Sequence, residues 1–338
     1  MNIKVKLKDV AIKAEVSVAT VSRFINNVGY IRPETSEKIQ KAINELNYKP
    51  NLIARSLRIK SLKTIGIICP DIKDSFFGTL VSSAEDVAHR YGYNVILCIT
   101  ENNPEKEKLY IEILKEKLID GYIFIPSNTD EIKTYDFIKD EKVVFVDRSP
   151  MISNEISILL DNEWGVTLGM EYLIGLGHKK IGVINLPLFM TTGFGRFNGY
   201  KNALIKNKLK IDERLIKFSD SDLSPESSYE ETLKLLTMED KPTAIFPMNG
   251  PTTIGALKAI RKLGLKIPND ISIIGFDEHY FADLLNPPLT TIAQPVSEFG
   301  IKGMQTLIKI FRGKKIKTKI VKLKPKLILR ESCKRIVN

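Results

Sequence analysis

Two short stretches near the start of the chain carry polar and small side chains where a buried helix would carry Leu: SVATVSRFIN, beginning at Ser17, and NLIARSLR, beginning at Asn51. In the first, Ser17 is placed to cap a helix, and Val21, Phe24 and Ile25 recur at helical spacing as an inward face. Val18, Ala19, Ser22 and Arg23 are left pointing outward. A guanidinium can hold a base edge or a phosphate, a hydroxyl can donate or accept, and small apolar groups can meet a thymine methyl. The chemistry on offer is contact with nucleic acid. In the second stretch Asn51 can cap a helix of about two turns that carries Ala54, Arg55, Leu57 and Arg58, too short to be stable in water by itself.

The elements that would present these residues are short. Leu7, Val10, Ala11 and Ala14 share one helical face, and only a tight EVS turn separates that helix from the one starting after Ser17. Two short helices so joined predict a helix-turn-helix. A third helix begins at Pro33 and Glu34, turns Ile39, Ala42, Ile43 and Leu46 inward, and ends before Pro50. The pattern alone fits a structural cap equally well, and charge decides between the two. Residues 1–60 hold 12 Lys and Arg against 5 Asp and Glu, which is +7 of the chain's formal +11. A basic head on a nearly balanced body predicts a polyanion partner for the head.

The remaining chain is of another kind. From about Thr64, apolar runs of strand length alternate with amphipathic stretches: TIGIIC, YNVILCI, GYIFIP, KVVFV, ISILLD, KIGVIN, TAIFPM and ISIIGF. Helix-like segments lie between them, such as Glu105 to Lys117 with Leu109, Ile113 and Leu114 on one face, and Thr252 to Leu263 with Leu257 and Ile260. Strands buried on both faces and separated by helices predict parallel sheets in two lobes, with ligands bound at the carboxyl ends of the strands. GFGRFNG, from Gly193, has the wrong spacing for a dinucleotide fingerprint, and no nucleophile elbow, zincin motif or phosphate loop occurs. An enzyme using an unsigned carboxylate pair stays open, but it leaves the basic head without a purpose. Cys69, Cys98 and Cys333 are far apart and read as reduced, buried strand residues of a cytosolic protein. His89, His178 and His279 are isolated, so no metal site is expected. There is no signal-peptide core and no apolar stretch of membrane length, which predicts a cytoplasmic protein without a membrane partner.

DVAIKAEVSVATVSRFIN followed by ELNYKPNLIARSL resembles the head and hinge of the lactose-repressor (LacI/GalR) family of bacterial transcription factors. TIGIICPDIKDSFF, DGYIFIP, VVFVDR, LGHKKIGVI, GRFNGY, KPTAIF, IPNDISIIGFDE, PPLTTIAQP and LRES continue that resemblance along essentially the whole chain. It implies a small all-α helix-turn-helix head (1–50), a hinge helix and linker (51–62), and a two-lobed α/β core (63–338) similar to periplasmic sugar-binding proteins. Lobe one would take about 63–161 and 293–323, lobe two about 162–292 and 324–338. The chain stops soon after KLILRES, which leaves no room for the extra tetramerising helix of some members, so a homodimer on a near-palindromic operator is implied. No cofactor and no catalysis are implied. The DNA-facing set becomes Ser17, Val18, Ala19, Thr20, Ser22, Arg23 and Asn26, joined by Asn51, Ala54, Arg55, Leu57 and Arg58 of the hinge, with Leu57 the wedge that enters the minor groove.

By the same resemblance a small effector, a sugar or sugar derivative, sits between the lobes and controls operator binding. Motif by motif, Asp74, Phe76, Arg148, Asp161, Thr192, Arg196, Asn249 and Asp277 surround it. Carboxylates, Asn and Arg supply donors and acceptors for hydroxyls, while an aromatic packs on the C–H face of the ring. Trp164 could be that aromatic or could pack between strand and helix. This chain departs from its relatives in three places. Glu15 stands where Gly is common in the turn. Leu223 stands where purine-binding relatives tend to have an aromatic, which argues against a purine. Gly250 stands where many sugar-binding members have Asp, which weakens a standard sugar assignment. Arg148 with Arg196 would also suit a phosphorylated or carboxylated sugar. Lys309 to Lys326 holds nine Lys or Arg and no acid, and reads as the solvated surface of a helix end and strand. A solute-binding protein and a sugar-processing enzyme share such a core; the first lacks the signal for export here, and the second would turn its sugar over.

Overall fold

The computed structural model describes residues 5–25, 29–48, 62–129, 137–138, 140–150, 155–220 and 223–336. The chain divides into two units, Met1–Leu62 and Lys63–Asn338. In the first, helices α1 (Leu7–Lys13), α2 (Val18–Ile25) and α3 (Pro33–Glu45) enclose a small core of Val10, Ala11, Ala14, Val21, Ile39 and Ala42. Phe24, Ile25, Ile43 and Leu46 pack around it. Asp9 caps α1 by accepting from the Lys6 amide at 2.7 Å, and α3 opens with Pro33, whose fixed φ suits a first helical turn. Glu15 takes φ 54° between α1 and α2, the left-handed conformation a Gly would supply there without steric cost. Asn26 and the hinge residues Asn51, Ala54, Arg55, Leu57 and Arg58 lie outside the described residues.

The second unit contains two six-stranded sheets. The first has strands β1 (Thr64–Cys69), β2 (Asn94–Ile99), β3 (Gly121–Phe124), β4 (Val143–Val146), β5 (Ser157–Leu160) and β11 (Ile320–Leu323) in the order β11-β5-β4-β3-β1-β2, all parallel. The second has β6 (Ile181–Asn185), β7 (Ile216–Phe218), β8 (Ala244–Pro247), β9 (Ser272–Phe276), β10 (Thr290–Ala293) and β12 (Lys326–Ile328) in the order β12-β10-β9-β8-β6-β7. The β10–β12 pair, with Thr291 opposite Ile328, is antiparallel and is the exception to the expected parallel pattern. Helices α4 (Ser75–Arg90), α5 (Pro104–Glu116) and α10 (Val296–Phe311) belong with the first sheet; α6 (Asn162–Gly175), α7 (Thr191–Lys206), α8 (Pro225–Leu236) and α9 (Gly250–Lys262) belong with the second. The chain passes between the sheets three times: after β5, after β10 and after β11.

All eight apolar runs are strands, buried wholly or in part. The face of α5 is a correction. Leu109 is 52% exposed and Ile113 38% exposed, while Glu107, Ile111 and Leu114 turn inward. A carboxylic acid thus takes a core position that apolar counting gives to Leu109, because the Ser127 amide donates to its Oε1 at 2.6 Å. Cys69 and Cys98 are buried strand residues, but Cys333 is only half-buried, lies after β12, and donates its Sγ–H to the Ile273 carbonyl at 3.3 Å. In each sheet the first strand is flanked by the second and third, so β1/β3 and β6/β8 are switch points where the following loops diverge and open a crevice.

Candidate functional site

In the head, Ser17 accepts from the Thr20 amide at 3.1 Å through Oγ, and the two hydroxyls lie 2.8 Å apart, which fixes the start of α2. Val21 is fully buried. Ser17, Val18, Ala19 and Arg23 are exposed, and Thr20 and Ser22 are half-buried. The expected outward residues therefore share one accessible surface on a helix held by α1 and α3. An ion pair between Lys13 and Glu45 at 3.0 Å ties α1 to α3 on the surface and holds the Glu45 carboxyl below its ordinary range.

In the core a cleft of about 590 Å³, counted out to its mouth, lies at the carboxyl ends of the strands. Of the residues that the resemblance places there, Asp74, Phe76, Arg148, Thr192, Arg196, Asn249 and Asp277 line it. Each follows a strand. Asp74 comes after β1 and caps α4, accepting from the Phe76 amide at 3.0 Å. Phe76 packs edge-on against Phe77 and Phe299 at 5.1 and 5.7 Å. Asn249, after β8, caps α9 through a reciprocal pair with Thr252, each bond 2.9 Å. Asp277, after β9, accepts from the Gly250 amide at 2.9 Å and from the Gln294 amide nitrogen.

The two arginines are built into the walls. Arg148, after β4, donates to Asn102 Oδ1 at 2.8 Å and to the Pro126 carbonyl at 3.3 Å, and its Nε lies 3.6 Å from Asp147. Arg196 donates to Asn162 Oδ1 at 2.8 Å and to the Met248 carbonyl, and its guanidinium lies 3.8 Å from the Phe276 ring centroid. Nε and one terminal nitrogen of Arg196 therefore already bind the protein, which leaves fewer donors for the phosphorylated or carboxylated sugar that Arg148 with Arg196 would suit. Thr192, 2% exposed, lines the cleft with a hydroxyl that has no hydrogen-bond partner.

Asp161 and Trp164 are absent from the cleft lining, a correction to the expected set. Asp161 caps α6 through the Trp164 amide at 3.3 Å and pairs with Lys324 at 2.8 Å. Trp164 is 43% exposed, with Lys324 Nζ 5.2 Å from its ring centroid. The neighbour Asn162 reaches the site instead, as the acceptor that orients Arg196. Sequence reasoning also missed Asp71, Asp147, Asn102 and Gln294, all in the lining. Asp147 had a usable signal, a charge closing an apolar strand in VVFVDR. Asn102 and Gln294 are ordinary loop polar residues with none.

Four aspartates (71, 74, 147 and 277) face two arginines across this space. Burial and then the charge of Asp277 raise the Asp74 carboxyl to about 6, with smaller contributions from Asp71 and Asp147 against the Phe76 amide. Burial pushes Asp147 up, opposed by Arg148 and Arg196. Asp147 and Asp277 adopt φ 63° and 80°, and Leu223, also in the lining, φ 56°. Non-glycine residues held in that region cost energy and collect where side chains must be aimed. At Gly250 a side-chain carbon would stand 2.6 Å from His279 Cε1, so the buried His279, stacked on Phe281 at 4.8 Å, fills the space a side chain would take there.

A helix-turn-helix head followed by a two-lobed core of this topology defines a class, DNA-binding regulators built on a periplasmic-binding-protein-like core. Residues 6–51 match the model of bacterial regulatory proteins of the lacI family, and residues 170–333 match a periplasmic binding protein-like domain. The chain is 35% identical over 331 residues to the HTH-type transcriptional repressor PurR of Histophilus somni (strain 129Pt), covering 97% of this chain and 98% of that protein. It is 37% identical over 335 residues to the HTH-type transcriptional regulator DegA of Bacillus subtilis (strain 168), covering 97% and 98%. The crystal structure of the lac repressor dimer bound to operator and the anti-inducer ONPF matches it with a TM-score of 0.84 at 28% identity, over 98% of this chain and 99% of that one. The chain belongs to the lacI family of bacterial regulatory proteins. It is a DNA-binding transcriptional regulator and not an enzyme. Among the described residues no helix is long and apolar enough to cross a membrane.

Proposed function

We propose that the protein is a homodimeric repressor of a near-palindromic operator, and that a neutral, hydroxyl-rich ligand of the sugar class, bound in the cleft between the lobes, controls its hold on DNA. The observation that carries the ligand class is the composition of the cleft. Carboxylates, Asn249 and the unpartnered Thr192 hydroxyl supply hydrogen-bonding groups, and Phe76 supplies an aromatic face. The excess of aspartate over arginine counts against a phosphorylated or carboxylated sugar, since both arginines already serve protein acceptors. A leucine at 223 offers no ring for a flat base to stack on. The lac repressor, solved as a dimer on operator DNA, supports the oligomeric state and the partner.

The test is a thermal-melting screen of the full chain with neutral mono- and disaccharides, their phosphates, sugar acids and purines, followed by DNA binding with each hit. A neutral sugar that raises the melting temperature and changes DNA affinity supports the reading. Stabilisation only by a phosphate, an acid or a purine refutes it.

A further inference from the structure

The strands of the first sheet are parallel, so their amino-terminal ends gather on one side of the lobe, opposite the cleft. Lys63, the first residue of the core unit, enters there, and α10 returns its carboxyl end to the same side before β11 begins. Basic and aromatic residues distant in sequence interleave at this end. Lys63 Nζ lies 4.3 Å from the Tyr93 ring centroid and donates to its hydroxyl at 3.2 Å. Tyr93 packs on Phe311 at 5.2 Å, Lys142 Nζ stands 5.5 Å from the same Phe311 ring, and Arg312 lies 4.9 Å from the Tyr91 ring.

Beyond Arg312 the turn into β11 adds Lys314, Lys315, Lys317 and Lys319, all exposed, with no acidic residue from 312 to 319. Among the described residues these four lysines and Arg312 make no ion pair, whereas Lys106, Lys180, Lys206, Lys258 and Lys302 each lean on a carboxylate elsewhere on the core. Of the acids at this end, Asp120 accepts from the Thr64 amide at 3.1 Å, Glu141 pairs with Lys115 at 3.2 Å, and Asp140 and Glu155 stand exposed just before β4 and β5, fewer than the basic groups gathered there. Leaving this much like charge unneutralised on one loop costs self-repulsion, which a polyanion would relieve.

We propose that this end of the first lobe, centred on the 312–319 turn, is a second DNA-backbone surface that holds phosphates flanking the site read by the head. It rests on the reading of the head as the DNA-binding unit. Duplex DNA fits better than another polyanion for a reason of chain connectivity. Fourteen residues separate Tyr48 of the head from Lys63, at most about 50 Å of extended chain, so DNA held by one unit is within reach of the other. Exposed lysines, as point charges on flexible stems, suit backbone contact and not base reading.

The experiment uses the full chain with Lys314, Lys315, Lys317 and Lys319 replaced by Gln, and a control in which Lys179, Lys208, Lys210 and Lys241 of the second lobe are replaced by Gln. Affinity for a random duplex of about 40 base pairs is measured over a salt series, so no operator need be known. The expected result is a roughly tenfold loss at low salt for the turn variant. Its slope of log affinity against log salt should be shallower by about 2 for a dimer losing one phosphate contact per protomer. The control should match the parent. On a duplex of about 20 base pairs, which leaves little flank, turn variant and parent should agree. Equal losses in the two variants, or an unchanged slope for the turn variant, overturn the proposal. So does loss of binding to an acidic polypeptide alone, which would give the turn to a protein partner. Failure of the parent itself to bind any duplex would sink the reading of the head instead.

Discussion

Thr192 and Glu107 are both buried polar residues with an unsatisfied oxygen, and they predict opposite things. Thr192 lines the cleft and its hydroxyl is buried without a partner, so Thr192→Val removes an unpaired buried group and keeps its shape. The ligand-free protein should melt at the parent's temperature or above it, while the effector loses about 1–2 kcal/mol of affinity by calorimetry. Unchanged affinity would exclude the hydroxyl from recognition. Glu107 lies under the Pro126–Ser127 loop, where burial raises its carboxyl from 4.5 to about 7 against the Ser127 bonds and the charge of Arg148. The folded state therefore prefers the protonated acid. The stability this group contributes is complete below about 4.5 and is lost as pH rises through about 7. Glu107→Gln should match the parent near pH 4 and exceed it by about 1–3 kcal/mol near pH 8 in denaturant melts, flattening the pH profile. Parallel profiles would show that folding leaves the proton affinity of the Glu107 carboxyl unchanged. At this scale the site was legible where a residue sits inside a motif that carries the resemblance, as with Asp74 in KDSFF, at the start of α4, or Asp277 in GFDE, just after β9. Asn102 and Gln294 reach the cleft from unrelated loops, after β2 and after β10, and Asp161 and Asn162 exchange roles through the direction a side chain takes at a helix start.

Among the elements, α7 most directly aims the site, since Thr192 and Arg196 stand in its first turns. Gly193 allows that approach: a side-chain carbon there would fall 2.3 Å from the Pro187 carbonyl oxygen and 2.8 Å from that of Leu186. Asn185 reaches into the same corner, donating to the Leu186 and Gly193 carbonyls at 2.9 and 3.0 Å. Gly193→Ala must shift α7 or the loop before it. It is expected to cost about 1–3 kcal/mol in stability and to weaken the effector more than Thr192→Val does. Effector affinity equal to the parent's would mean that α7 is not the element that sets the cleft. The eight apolar runs made eight of the strands readable, but β7 has three residues and β10 reads TTIA, too little apolar pattern to mark either, while β11, with two of its four residues exposed, and the three-residue β12 were expected from the basic 309–326 stretch and from the resemblance and not from apolar pattern. The face of α5 was misread for a physical reason, because a buried hydrogen-bonded carboxyl group carries no hydrophobic signal.

At the scale of the molecule, a small head with little polar variety belongs to the DNA-binding unit while a larger core holds the cleft proposed for the ligand. Val18 and Ala19 cannot form bidentate hydrogen bonds, so we propose the exposed Arg23 as the main polar reader on α2. Arg23→Ala is expected to cost about 1–3 kcal/mol on the operator and little on random DNA. Equal losses on both would make it a phosphate contact. Ligand control requires that the effector bind the DNA-competent and DNA-incompetent states with different affinity. The most direct test is therefore a footprint of the full chain on the DNA upstream of its own gene, repeated with a ligand that stabilises the core in melting experiments. The expected result is protection of two related half-sites about one helical turn apart, strengthened or abolished by the ligand at concentrations that saturate the cleft. No protected site, or protection that a saturating cleft ligand leaves unchanged, would contradict a ligand-controlled regulator.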